Sequence, residues 1–203
     1  MYAHIYIMCS KIKVNRNDKM MRIVSSDQFR TSRWKNGGGL THEIAKEEDT
    51  LGLVWRLSVA EVASDGPFSS FPGLTRILTV IDGAGLDLVH ADGTIKALPL
   101  TPVRFSGALP IEGRLIGGKI LDFNAIFDET KVKASVAVLR SGDGFTPEIK
   151  ACGQRVLYCI AGEMQIEGQH VAPGDAAFFD TFPTRVVVSE NACALLVMLQ
   201  KRG

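Results

Sequence analysis

Three short stretches of the sequence carry polar side chains at alternating positions: residues 40–45 (LTHEIA), 55–62 (WRLSVAEV) and 121–127 (LDFNAIF). The polar residues at these positions are Thr41, Glu43, Arg56, Ser58, Asp122 and Asn124. Successive residues of a strand point to opposite faces, so each pair shares one face. An arginine, two acids and an amide can hold a polar small molecule by charge-assisted hydrogen bonds.

Two interpretations of these polar faces are open. In a half-buried antiparallel sheet, a polar face meets water. Alternatively, the faces turn into the mouth of a barrel and line a ligand pocket. The short side chains, with only one Arg and one Glu, favour the inward orientation, since a solvated face commonly carries Lys, Glu and Gln.

The segment RWKNGGGL places three consecutive glycines after Lys35 and Asn36. Glycine tolerates positive φ and lets backbone N–H groups approach an anion closely. A flexible loop is the alternative. No helix start follows, as a phosphate-binding loop would need. A carboxylate suits the segment better, with Lys35 as a point charge and Asn36 as a hydrogen-bonding group.

A second segment, DGPFSSFPGLTR (residues 65–76), reads as a rigid corner of aromatic residues and prolines. Phe68 and Phe71 either cap a barrel or wall the pocket, and in the second case the corner presents Arg76. The prolines fix the turns in both interpretations.

The elements that must position these residues are strands, because short β-branched or alternating runs end at Gly, Asp or Pro along most of the chain. Segments 76–107 and 155–181 share an order: Arg, apolar strand, turn with Gly, second strand, turn, Pro and a Phe-containing strand. Their arginines are 79 residues apart, a period that suits two copies of a small barrel. We therefore predict an all-β chain with two jelly-roll, cupin-like barrels, a bicupin of the RmlC-like type.

The predicted domains are a disordered or extended leader (residues 1–20), an N-terminal barrel (21–130) and a C-terminal barrel (131–203). The apolar run 192–199 is a core strand or, alternatively, an edge through which a homodimer forms.

Composition excludes several function classes. The net charge of +1 lacks the basic surplus that nucleic acids require. No run of about 18 apolar residues predicts a membrane span, and no export signal is visible. Four scattered cysteines suit reduced thiols in a cytoplasmic protein. The four histidines stand alone, so we expect no protein-bound metal and no cofactor.

Four motifs in this order, WKNGGGLTHEI, WRLSVAEV, DGPFSSFPGLTRIL and DFNAIF, resemble the HutD/Ves family. The resemblance runs from about Met21 to the C-terminus. It implies a bicupin with a small-ligand role in histidine catabolism, where urocanate or formiminoglutamate is the proposed ligand. The family usually has Arg in place of His42, on the face opposite Thr41 and Glu43.

The resemblance and the polar faces together predict the site. The resemblance places pocket residues at Trp34, Lys35, Asn36, Gly39, Thr41, Glu43, Arg56, Phe68, Ser69, Phe71, Gly73, Arg76, Asp122, Phe123 and Asn124. The polar faces add Ser58. Lys35 with Arg56 or Arg76 would hold a carboxylate. Glu43, Asp122 and Asn124 would take a cationic formimino or imidazole group.

The expected function is a metal-free regulator of histidine utilisation that binds a small carboxylate metabolite without chemistry of its own. The alternatives are a metal-free isomerase or hydrolase acting on the same intermediates, with Glu43 and Lys35 as an acid–base pair, and a stress-induced interaction protein.

Overall fold

The computed structural model describes residues 2–6, 21–34, 37–141, 153–180 and 185–202, and these form an all-β structure with one 3₁₀ turn at Ser26–Gln28. The strands in chain order are β1 (Tyr2–Tyr6), β2 (Met21–Val24), β3 (Arg30–Arg33), β4 (Gly39–Asp49), β5 (Gly52–Val62), β6 (Gly66–Pro67), β7 (Thr75–Asp82), β8 (Leu86–His90), β9 (Gly93–Ala97), β10 (Val103–Ser106), β11 (Glu112–Leu115), β12 (Ile120–Phe127), β13 (Val132–Arg140), β14 (Gln154–Ala161), β15 (Met164–Ile166), β16 (Gln169–Val171), β17 (Ala176–Phe179), β18 (Arg185–Ser189) and β19 (Cys193–Lys201). The predicted all-β class is confirmed. In the described part of the chain, no helix is long and apolar enough to cross a membrane.

The chain divides into two compact units. The N-terminal unit comprises Phe29–Ala134 and Arg202–Gly203, and the C-terminal unit comprises Met1–Gln28 and Ser135–Lys201. Strand β2 pairs with β17, so it belongs to the C-terminal unit, whereas the predicted domain bounds include it in the N-terminal barrel. Residues 2–6 of the expected leader form β1, which pairs with β18.

The N-terminal unit consists of two antiparallel sheets. Six strands follow the order β10-β7-β12-β5-β4-β3, and four follow β6-β11-β8-β9. Apolar residues from both sheets pack between them, among them Val62, Leu78 and Val80 from the six-stranded sheet and Leu86 and Leu88 from the other. Burying such side chains is the main favourable term in folding, at about 25 cal/mol per Å² of apolar surface.

The C-terminal unit repeats this arrangement. Its sheets follow the orders β13-β19-β14-β17-β2 and β1-β18-β15-β16. The order β10-β7-β12-β5 in one unit matches β17-β14-β19-β13 in the other, and β11-β8-β9 matches β18-β15-β16. The internal repeat predicted from Arg76 and Arg155 is confirmed, since these residues lie on the matching strands β7 and β14. Strand β19 lies between β13 and β14, so the run 192–199 is an interior strand rather than an edge.

Candidate functional site

A cavity of about 490 Å³ opens in the N-terminal unit, a size that suits a small metabolite. Its lining combines cations, short polar groups and aromatic rings. The lining residues are Arg33, Trp34, Thr41, Arg56, Ser58, Ala60, Pro67, Phe68, Ser69, Phe71, Arg76, Asp122 and Asn124. Three arginines face one acid in this set, so the lining favours an anion.

The cavity follows from the register of β5, β12 and β7. Asn124 on the central strand β12 lies opposite Ser58 on one side and Leu78 on the other. Along the same face, Ile120 contributes to the apolar core at one end, and Asp122 and Asn124 follow at alternate positions. The inward orientation of the polar faces is therefore the one observed, with Ser58, Asp122 and Asn124 all buried.

Arg76 is the most enclosed of the three cations. Its side chain is buried, and its guanidinium carbon lies 5.2 Å from the ring centroid of Phe68, 5.6 Å from Phe71 and 5.2 Å from Phe105. Aromatic faces attract a cation electrostatically. Burial lowers the pKa of Arg76 to about 10, with the charge of Asp122 acting in the opposite direction, so the group remains a cation at neutral pH.

A directed hydrogen-bond chain joins Arg76 to Asp122. Arg76 Nη2 donates to Asn124 Oδ1 at 2.7 Å, and Asn124 Nδ2 donates to Asp122 Oδ1. Asp122 Oδ2 is buried and has no hydrogen-bond partner among the described residues. Burial raises the pKa of Asp122 to about 6, although the charge of Arg76 and the hydrogen bond from Asn124 both lower it. Asp122 Oδ2 can therefore accept a hydrogen bond from a bound ligand.

Arg56 forms a second cationic group in the cavity. Its guanidinium carbon lies 5.1 Å from the ring centroid of Phe71, and its Nε finds no partner in the residues that the structure describes. Burial lowers the pKa of Arg56, while the charge of Glu43 raises it. Glu43 on β4 is not part of the cavity lining. Its negative charge favours the cationic form of Arg56.

The glycine run serves a turn and a close packing contact. Gly37 has φ of 75°, and its N–H donates to the carbonyl of Trp34, so that N–H group is already occupied. A Cβ on Gly39 would lie 3.1 Å from the Trp34 ring and 2.2 Å from the carbonyl oxygen of Glu61. Trp34 Nε1 in turn donates to Thr41 Oγ1 at 2.8 Å. Gly39 thus lets Trp34 lie flat against β4 at the wall of the cavity.

Most of the predicted site residues meet in this cavity. The ten that line it are Trp34, Thr41, Arg56, Ser58, Phe68, Ser69, Phe71, Arg76, Asp122 and Asn124. Gly39, Glu43 and Gly73 are not among the lining residues, and Lys35 and Asn36 fall outside the described residues. Phe123 lies opposite Val59 within β12, on the face away from Asp122 and Asn124.

Sequence reasoning missed Arg33, Ala60 and Pro67. Ala60 could have been found, because it continues the alternation from Arg56 and Ser58 along β5. Pro67 directly precedes Phe68. Arg33 ends the edge strand β3, and no pattern in the sequence distinguishes it from Arg30.

The C-terminal unit has apolar residues at the matching positions. On β12, Asn124 and Asp122 lie opposite Leu78 and Val80 of β7. On the matching strand β19, Leu196 and Ala194 lie opposite Leu157 and Cys159 of β14. These four residues all belong to the buried core of that unit. Arg155, which matches Arg76, donates to the carbonyls of Gly153 and Asp180. The polar pair is therefore specific to the N-terminal unit.

Within the described ranges, no group of three or more His, Cys, Asp or Glu residues is placed to hold a metal ion. His42 and Thr31 form a side-chain hydrogen bond of 2.9 Å, and His90 accepts one from the backbone N–H of Asp92.

The raised pKa of Asp122 predicts that the stability of the protein depends on pH in a particular way. Its pKa is raised in the folded state to about 6 from the ordinary value of 3.8, so its contribution to stability falls as pH rises from about 4 to about 6. The size of this loss is about 3 kcal/mol, at 1.36 kcal/mol per pKa unit. The loss can be measured by urea unfolding between pH 4 and 7.5. It is the change with pH in the difference between the free energies of unfolding of the wild type and Asp122→Asn.

Other carboxyl groups contribute to stability with the opposite pH dependence. The pKa values of Asp49 and Asp128 are lowered by Lys131 and by Thr130, respectively, so their contributions are lost as pH falls. The wild type and Asp122→Asn both contain these groups, so their contributions to stability cancel in the difference. A difference that stays flat between pH 4 and 6 would contradict the assignment of a raised pKa to Asp122.

Comparison with known proteins places this chain in a family. The chain is 37% identical over 149 residues to an uncharacterised 21.2 kDa protein in the hutC 3′ region of Pseudomonas putida, covering 72% of this chain and 77% of the relative. It is 29% identical over 148 residues to the protein Ves of Cronobacter sakazakii, covering 72% and 80%.

Solved structures agree with the fold. The structure of HutD from Pseudomonas fluorescens SBW25 superposes with a TM-score of 0.79 at 30% identity, covering 91% of this chain and all of that one. The Escherichia coli protein YlbA shares the fold alone, with a TM-score of 0.66 at 10% identity, covering 93% and 96%. The HutD family model matches residues 26–197, and this chain therefore belongs to the HutD family.

Proposed function

We propose that this HutD-family protein binds a small carboxylate metabolite of histidine degradation, such as formiminoglutamate or urocanate, and regulates histidine utilisation without catalysing a reaction. The observation that carries the proposal is a set of unmet hydrogen-bonding groups. Across the described residues, five buried side-chain atoms lack a partner, and three of them belong to Arg56, Arg76 and Asp122 in the cavity lining. Buried polar groups are normally paired, so a bound ligand is the natural partner.

The carboxylate of the ligand is assigned to Arg56 and Arg76. Both guanidinium groups stack on the ring of Phe71, and each leaves its Nε without a partner. A guanidinium presents several donors in a fixed plane, which matches the two oxygens of a carboxylate. The nearby ring lowers the local polarity around both groups, which strengthens such contacts.

The opposite end of the ligand is assigned to Asp122. The amide of Asn124 is oriented by its two bonds, to Arg76 and to Asp122, so it holds the carboxylate of Asp122 in place. A cationic formimino or imidazole group would donate to Asp122. This arrangement suits a ligand with an anion at one end and an N–H donor at the other.

The link to histidine utilisation rests on the family. The P. putida relative is named for its place in the hutC 3′ region, and the matching family is HutD. Regulation by ligand binding then requires only that the occupied and empty forms differ in their interaction with a later partner.

A metal-free isomerase or hydrolase is the second candidate, and Asp122 is the observation that favours it. A carboxyl group with a pKa of about 6 is suited to proton transfer near neutral pH. Product formation from urocanate or formiminoglutamate, lost in Asp122→Asn and Glu43→Gln, would establish the enzyme and overturn a purely regulatory role.

Calorimetric titration tests the binding proposal. We expect the purified protein to bind one of urocanate, histidine, formiminoglutamate or glutamate saturably, with no product formed. The double variant Asp122→Ala, Asn124→Leu carries the residues that match these positions in the C-terminal unit, and we expect its affinity to fall by at least 100-fold, since each hydrogen bond to a charged group contributes about 1.5–3 kcal/mol.

The control for this titration is Arg114→Ala, an exposed arginine on β11, which should bind as the wild type does. No heat from any of the four compounds would remove the link to these metabolites. Unchanged binding by the double variant would place the ligand elsewhere on the protein.

A further inference from the structure

The hydrogen bonds around Asp122 run in one direction. Arg76 has only donors, so Asn124 must present its oxygen to Arg76 and its NH₂ group to Asp122. Asp122 Oδ1 is satisfied by this amide, whereas Oδ2 has no partner within the described part of the chain. Asn124 lies between Arg76 and Asp122 and connects them by hydrogen bonds, so Arg76 acts on the carboxylate without direct contact.

The unmet oxygen is fully enclosed. Asp122 is 0% exposed and lines the cavity. A buried charged oxygen without a donor is costly. The cost is relieved in two ways: a proton from solvent converts the group to a neutral acid, or a ligand supplies an N–H or O–H to Oδ2.

The fold does not require this carboxylate. The C-terminal unit repeats the same strand order with Ala194 at the matching position, and that alanine packs in an apolar core. A buried acid kept at one copy of a repeated position points to a role in the cavity rather than in packing.

We infer that Asp122 determines the specificity of the cavity by requiring a hydrogen at Oδ2, so that a ligand with its own donor binds directly and a ligand without one binds only with uptake of a proton from solvent. The ligand part of this inference rests on the proposed function. It goes beyond that function, because it makes binding to the cavity depend on pH for carboxylates without a hydrogen-bond donor and not for carboxylates with one.

The charged groups around Asp122 determine the pH at which its carboxyl group changes protonation state. Arg76 on β7 lowers its pKa and Asn124 does the same by hydrogen bonding, but burial outweighs both and the value lies at about 6. Arg56 on β5 also lines the cavity and interacts with the charge of Glu43 on β4, and Arg33 on β3 lies in the lining. Near neutral pH the carboxylate is therefore mostly ionised and still accepts a proton readily.

The first test needs no ligand and no variant. Carbon-13 NMR of the assigned Asp side-chain carboxyl groups in the intact chain follows each titration between pH 3.5 and 8. We expect the Asp122 carboxyl to titrate near pH 6, well above the ordinary aspartate value of 3.8. A midpoint at or below pH 4 would overturn the inference.

The second test compares two carboxylates that differ in the donor. Formiminoglutamate carries N–H groups, and glutarate has a similar carbon chain without them. The apparent Kd of glutarate should rise about 50-fold between pH 6 and pH 8, as the protonated fraction of Asp122 falls, while that of formiminoglutamate should change less than threefold.

Titration in two buffers of different ionisation enthalpy supplies the proton count. Glutarate should take up close to one proton per molecule bound at pH 8, and formiminoglutamate close to none. Equal pH responses of the two compounds would overturn the inference even if both bind. If neither binds at any pH, the proposed function and the ligand part of the inference fail together, and the NMR titration still decides whether Asp122 holds the proton.

Discussion

Replacing Arg76 with methionine should destabilise the protein by about 3 kcal/mol at pH 7 and by clearly less at pH 5. Arg76 is buried and donates to Asn124, so the substitution leaves an unpaired amide oxygen. It also removes the cation that lowers the pKa of Asp122. Removing a buried cation whose charge stabilises a nearby buried carboxylate is a costly change, although the two groups make no direct contact here. At pH 5 Asp122 is protonated, and that part of the loss disappears.

Urea unfolding at the two pH values measures this difference. The matched control is Arg114→Met, which changes an exposed arginine on β11 and should shift stability by less than about 0.5 kcal/mol at either pH. The same substitution at Arg76 should abolish binding of any carboxylate that the wild type binds. Equal losses at pH 5 and pH 7 would show that Arg76 acts by packing and hydrogen bonding alone.

Gly39→Ala should strongly destabilise the N-terminal unit, with an expected loss of about 3 kcal/mol, at the upper end of the usual cost of overpacking. The added Cβ would lie 2.2 Å from the backbone oxygen of Glu61, on the paired strand β5. A backbone atom held in a sheet cannot move aside as a side chain does, and overpacking of this kind costs roughly 1–3 kcal/mol or more. Trp34, 3.1 Å from the same Cβ, should also shift.

Thermal unfolding and tryptophan fluorescence check this result. Gly37→Ala is the control in the same loop, because Gly37 has φ of 75° and a Cβ there meets nothing within 4 Å. Its cost is the backbone strain of a left-handed conformation, about 1–2 kcal/mol, without displacement of Trp34. If Gly37→Ala proved as costly as Gly39→Ala, backbone conformation rather than close packing would explain the glycine run.

The repeat and the polar faces could be predicted because both are local patterns. Alternation along residues 55–62 and 121–127 assigns Ser58 and Asn124 to one face of their strands, and the structure places both in one cavity. The order of strand, turn and Pro after Arg76 and Arg155 reappears as the matching order of strands in two sheets.

Other features depend on which distant segments pair. Strand β2 precedes the N-terminal unit in the chain but pairs with β17, and Asp175 accepts a hydrogen bond from the backbone N–H of Ser26 across 149 residues. No periodicity near residues 21–28 encodes a partner so far along the chain. The same limit applies to Arg33, which reaches the cavity because β3 pairs with β4.

The sequence of this HutD-family chain was therefore sufficient for its all-β class, its internal repeat and most of the residues around the cavity, because side-chain alternation and turn chemistry act over a few residues. The long-range fold settled the other properties: that the glycine run packs Trp34 rather than offering every N–H to an anion, that the matching positions of the C-terminal unit are apolar, and that Asp122 titrates near pH 6. Desolvation and strand register arise only when distant segments come together, and they turn a row of polar residues into a site.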